Sequence, residues 1–95
     1  MCTMISEKVT LDGCGKTKDG WIDIQNAYVY YDHPFNAPFE HALNIDFVNE
    51  FKGLDARVAV ELSAEGARSL VKTILTVLER AESGGHLEKR QDYPV

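Results

Sequence analysis

Two histidines bracket a short proline-containing segment, and each follows a carboxylate: Asp32-His33 on one side of Pro34 and Pro38, Glu40-His41 on the other. Imidazole nitrogens are good zinc and copper ligands, provided that the fold brings them together. If the flanking segments pair as an antiparallel hairpin centred on Ala37, Val29 falls opposite Ile45, Tyr31 opposite Leu43 and His33 opposite His41. Directly opposed side chains have Cβ atoms about 4.5–5.5 Å apart, near enough for two imidazoles to share an ion. Pairing the first two strands around Lys16 brings Cys2 to the same end of the sheet, as a third ligand. A thiolate with two imidazoles suits zinc or copper, and Met1 and Met4 add sulfur that favours Cu(I).

A plainer account of the same residues stays open. A histidine at a strand end beside a carboxylate is commonly a hydrogen-bonded structural residue. Asp32 and Glu40 could orient the imidazoles, although neighbours along a strand point to opposite faces.

Three other groupings carry chemistry. Gly15-Lys16-Thr17 resembles the end of a phosphate-binding loop, but position 10 is Thr where that motif needs glycine, and a strand follows where it needs a helix. Cys2 with His33 or His41 could form a thiolate–imidazolium pair, the basis of a small enzyme. Tyr28, Tyr30 and Asp46 could line an acid–base pocket on an open sheet face.

These residues need a scaffold. Ninety-five residues make one thin-cored domain, and 44% apolar with 26% charged residues is an ordinary globular balance. The net charge of −5 lies wholly in residues 21–62, where Asp23, Asp32, Glu40, Asp46, Glu50, Asp55 and Glu61 face only Lys52 and Arg57. Nucleic acid is therefore not an expected partner, since binding phosphates takes a basic face. No apolar run approaches the roughly 20 residues of a membrane span, and the N-terminus lacks a secretory pattern, so the expectation is cytoplasmic, with Cys2 and Cys14 as thiols.

Periodicity supplies the elements. Residues 3–11 alternate as a half-buried strand, with Ile5, Val9 and Leu11 on one face. The glycines at 13, 15 and 20 predict a loop over 12–20. Residues 21–32 form a second strand whose apolar phase changes between Ile24 and Ala27, which predicts a β-bulge near Gln25-Asn26. Residues 41–51 and 56–62 form the third and fourth strands. Ser63 caps a helix that carries Leu70, Val71, Ile74, Leu75 and Leu78 on one stripe and stops at Gly84-Gly85. The expected fold is α+β, a four-stranded antiparallel meander with one C-terminal helix packed on one face. The domain covers residues 1–83, and 84–95 form a flexible tail. The uncovered face would show Tyr28, Tyr30, Asn44, Asp46, Arg57 and Glu61, and self-association through it predicts a homodimer.

The stretches Met1-Cys2-Thr3, Gly20-Trp21, Tyr31-Asp32-His33-Pro34, His41-Ala42-Leu43-Asn44-Ile45-Asp46-Phe47 and Ala56-Arg57-Val58-Ala59-Val60-Glu61-Leu62 resemble a family of short bacterial proteins of unknown function. The likeness spans roughly residues 1–80. It implies a stand-alone bacterial protein and no particular activity. The first expectation is thus a small binding protein with a zinc or copper site at Cys2, His33 and His41. A small enzyme and a structural homodimeric module are the alternatives, and the small-molecule ligand, if any, is unnamed.

Overall fold

Alternating branched and aromatic side chains produce four strands, and a 3.6-residue apolar repeat then produces one helix. The computed structural model describes residues 5–51 and 56–87. The elements are β1 (Ile5–Thr17), β2 (Gly20–Asp32), β3 (Ala42–Val48), β4 (Arg57–Leu62) and α1 (Ala64–Ser83). The sheet order is β1-β2-β3-β4, with every neighbour antiparallel, which is the α+β meander that the patterning predicts. Contacts divide the chain into two compact units, residues 1–63 and 64–95.

The β2–β3 register is the predicted one: Val29 pairs with Ile45, Tyr31 with Leu43, and the ladder ends at Asp32 opposite Ala42. The β1–β2 hairpin differs. Residues 12–17 are not a loop but the outer half of β1, and the turn is only Lys18-Asp19, between the paired Thr17 and Gly20. The Thr17 hydroxyl closes this turn, accepting from the Asp19 N–H at 3.1 Å and donating to the Gly20 carbonyl at 3.0 Å. Gly20 has φ +117°, a conformation that side-chain-bearing residues rarely adopt.

Glycine misleads here because it also serves close approach within a sheet. A Cβ added at Gly15 would lie 2.7 Å from Ile24 Cδ1 and 3.5 Å from Val58 Cγ2. The sheet curls enough for β1 to touch β4, although β2 and β3 lie between them. The bulge falls at the predicted height but on the other strand. The register shifts between Thr10 and Gly13, so Leu11 and Asp12 together oppose Gln25. An extra residue strengthens local twist, which fits the curl. β2 itself runs on without an insertion.

Small side chains occupy the tightest positions. Ala27 and Ala42 are buried at 2% and 0% exposure, and Asn44 and Asn49 are the buried polar residues among those described. Asn44 Nδ2 donates to the Ala42 carbonyl at 3.0 Å, so its amide is not stranded. Asn49 folds the chain after β3, its Oδ1 accepting from the Phe51 N–H at 3.0 Å. The predicted turn around residues 52–55 lies outside the described residues.

In α1, Glu65 sits in the first turn and Arg80 in the last, where each complements the helix dipole. The predicted stop is realised as a Schellman motif: the His86 N–H donates to the Ala81 carbonyl, the Gly85 N–H to the Glu82 carbonyl, and Gly85 takes φ +74°. No residue of α1 is buried. Among the described residues, no helix is long and apolar enough to cross a membrane.

Candidate functional site

The histidine pair forms just past the end of the β2–β3 ladder. Asp32 pairs with Ala42, and the next step of the same register sets His33 against His41. Their ring centroids are 4.5 Å apart with planes inclined by 28°, a stack that Tyr31 extends at 5.9 Å from His41. His33 Nδ1 lies 2.9 Å from the Glu40 carbonyl oxygen. A carbonyl only accepts, so Nδ1 carries the proton and the lone pair of the neutral ring sits on Nε2. The orienting group is thus a backbone carbonyl and not the Glu40 carboxylate, while Asp32 Oδ1 accepts from the His33 backbone N–H at 2.7 Å.

In this pose ring faces, not nitrogen lone pairs, oppose each other. Lone pairs lie in the ring plane, so rotation about a Cβ–Cγ bond is what would aim both at one ion. Among the described residues, no group of three or more His, Cys, Asp and Glu is placed to hold a metal. The expected third ligand, Cys2, lies outside the described residues, as do Met1 and Met4. Within β1, Ile5 pairs with Tyr31, a register different from the expected pairing around Lys16. The difference follows from the turn lying at Lys18-Asp19 rather than at Lys16.

A glutamate from β4 holds the segment between the histidines. Pro34 and Pro38 donate nothing, and the N–H groups of residues 35–37 lie beyond the ladder. Glu61 accepts all three: Oε2 from Phe35 at 2.5 Å, Oε1 from Asn36 at 3.0 Å and from Ala37 at 2.8 Å. The bonds from Ala37 and Phe35 do most to hold its carboxyl below the ordinary glutamate range, against a smaller opposing effect of desolvation. Phe35, Asn36 and Ala37 with Arg57, Ala59 and Glu61 line an open cleft of about 430 Å³.

This clamp gives stability a defined pH dependence. A carboxyl whose folded pKa is depressed contributes fully above its unfolded pKa, and the contribution vanishes as pH falls through the lower folded value. Wild type should therefore lose, on acidification below the ordinary glutamate pKa of about 4.3, a stability increment that Glu61→Gln never has. Denaturant midpoints of the two proteins should converge between pH 6 and the acid limit of folding. A gap that stays constant with pH would show that the carboxylate is not what holds the turn.

The face with Tyr28, Tyr30 and Asp46 is a hydrogen-bonded network. Tyr28 Oη donates to Glu50 Oε2 at 2.6 Å, and Tyr30 Oη to Asp46 Oδ2 at 3.1 Å. Glu50 also meets Asn26 Nδ2 at 3.4 Å and Lys8 Nζ at 3.9 Å, and Arg57 Nη1 stands 3.6 Å from Asp46 Oδ2. The hydrogen bond to Glu50 raises the Tyr28 pKa, and burial together with the Asp46 charge raises that of Tyr30. Both phenols stay protonated at neutral pH, so they can donate hydrogen bonds but cannot act as bases.

Strand parity puts Glu61 on this face, but its reach to the proline turn is not legible in the sequence. The usable signal was an accounting one: three N–H groups next to two prolines need acceptors. A family model, described as a family of unknown function (DUF6295), matches residues 1–87. No curated protein and no solved structure matches the chain.

Proposed function

The chain belongs to this family of unknown function, and from that premise we propose that it is a small binding protein, taking one zinc or copper ion at His33, His41 and Cys2. The observation that carries this reading is the His33–His41 pair, 4.5 Å between ring centroids, with His33 Nδ1 engaged by the Glu40 carbonyl. Metal-bound histidines characteristically hold their second nitrogen in such a bond, which fixes the tautomer. The test is elemental analysis of untagged protein after supplementation with zinc or copper. One metal ion per site is expected, and a clearly substoichiometric content for both metals ends the reading.

A second reading, self-association into a homodimer, is favoured by apolar exposure. Ile5 is 63% exposed on the sheet, and Val71, Ile74, Leu75 and Leu78 are 48–60% exposed on α1. Each unit, taken by itself, offers apolar surface of the kind that a second copy can cover. The Tyr28 and Tyr30 hydroxyls, by contrast, are already occupied on the face first expected to pair. Light scattering should give about twice the 10.6 kDa chain mass. A monomer at all accessible concentrations would dismiss it.

A further inference from the structure

We infer that Glu61 is the positioning residue of the histidine pair: by clamping the turn between them, it fixes the backbone spacing of His33 and His41 from which their rings can turn toward one ion, and so governs how tightly they take a metal. The inference rests on the metal reading only for its second half. The ladder that aligns β2 and β3 ends at Asp32–Ala42. Beyond it the chain makes an excursion over residues 33–41 before β3 begins, with two prolines that cannot contribute N–H bonds. Glu61 lies opposite Asn44, which in turn pairs with Tyr30, so the clamp reaches the turn from the fourth strand, not from either strand that carries a histidine.

The stoichiometry of the clamp is specific. One oxygen serves Phe35 and the other serves Asn36 and Ala37, so three consecutive N–H groups converge on a single carboxylate. Convergence of this kind fixes the backbone at the first half of the turn, directly after His33 and Pro34. The contact from His33 Nδ1 to the Glu40 carbonyl fixes the second half, directly before His41. With both halves held, each imidazole has a defined approach to the other. Glu61 itself has its oxygens committed to these bonds and acts through the turn, not as a ligand.

Substitutions grade the effect. Glu61→Gln keeps one carbonyl oxygen, enough for Asn36 and Ala37, but turns an NH₂ toward the Phe35 N–H, donor against donor. Glu61→Ala removes every acceptor. In the full chain without metal, NMR should show amides 35–37 exchanging faster in Glu61→Ala, with ring-proton contacts between His33 and His41 lost. Glu61→Gln should release chiefly the Phe35 amide. Zinc affinity, measured by competition with a chromophoric chelator, should fall about 10- to 100-fold in Glu61→Ala, the range for outer partners of a metal site, and less in Glu61→Gln. The d–d bands of bound Co(II) should change in the same order.

Unchanged exchange at 35–37, or intact ring contacts in a folded Glu61→Ala protein, would overturn the clamp. Wild type and Glu61→Ala binding zinc equally, with the same cobalt spectrum, would overturn its influence on the metal. Wild type that binds neither ion would refute the metal reading alone, while exchange and ring contacts still decide whether Glu61 positions the pair.

Discussion

Aspartate in place of Ala42 is expected to abolish cooperative folding at neutral pH. Ala42 opens β3 and has no exposed surface, so any larger side chain must displace its neighbours. A carboxylate there would be buried without a cation, a situation that costs roughly 3–5 kcal/mol where a buried charge is left unpaired. The ladder partner of Ala42 is Asp32, so the new charge would also stand opposite one of its own sign. Domains of this size hold about 5–15 kcal/mol in total, so a loss of that order is a large share of it. Circular dichroism and thermal melting would check it, with Ala42→Ser as a milder control. A cooperative melt within a few degrees of wild type would mean that the position is far less enclosed than the structure has it.

The second large effect concerns the histidines. On the proposed metal reading, the double variant His33→Ala/His41→Ala should take up no zinc or copper while keeping its fold. Both residues stand past the last paired residues of β2 and β3, so their removal leaves every ladder hydrogen bond in place. What it removes is the stack of the two imidazoles, the Tyr31 contact to His41 and the Nδ1 contact to the Glu40 carbonyl. That contact fixes one tautomer of His33, so His33→Ala alone should weaken metal binding even with His41 present. A double variant that retains wild-type metal content would move the site elsewhere. One that loses metal only because it unfolds would be recognised by its far-UV spectrum.

The acidic character of residues 21–62 takes on a more local meaning in the structure. Glu50 gathers Tyr28, Asn26 and Lys8, Asp46 gathers Tyr30 and Arg57, and Glu61 gathers three backbone amides. Part of what reads as a solvated negative surface is thus a set of acceptors with assigned donors. Tyr28 and Tyr30 hold Glu50 and Asp46 in place, and their raised pKa values are the electrostatic counterpart of that arrangement.

Alternation determined the existence of the four strands, their antiparallel order and the β2–β3 register that sets His33 against His41, while the 3.6-residue repeat and Gly84-Gly85 determined the helix and its stop. Side-chain parity on a strand is a local property, and a short link leaves neighbouring strands few ways to pair. Tertiary structure decided the rest. Gly15 sits inside a strand because Ile24 and Val58 close over it, and the bulge fell on β1 because the choice between two strands depends on the curl of the whole sheet. Glu61 reached the proline turn from the fourth strand, and the two imidazoles met by their faces. Each of these outcomes is set by atoms distant in the chain, and no local pattern encodes which of them will meet.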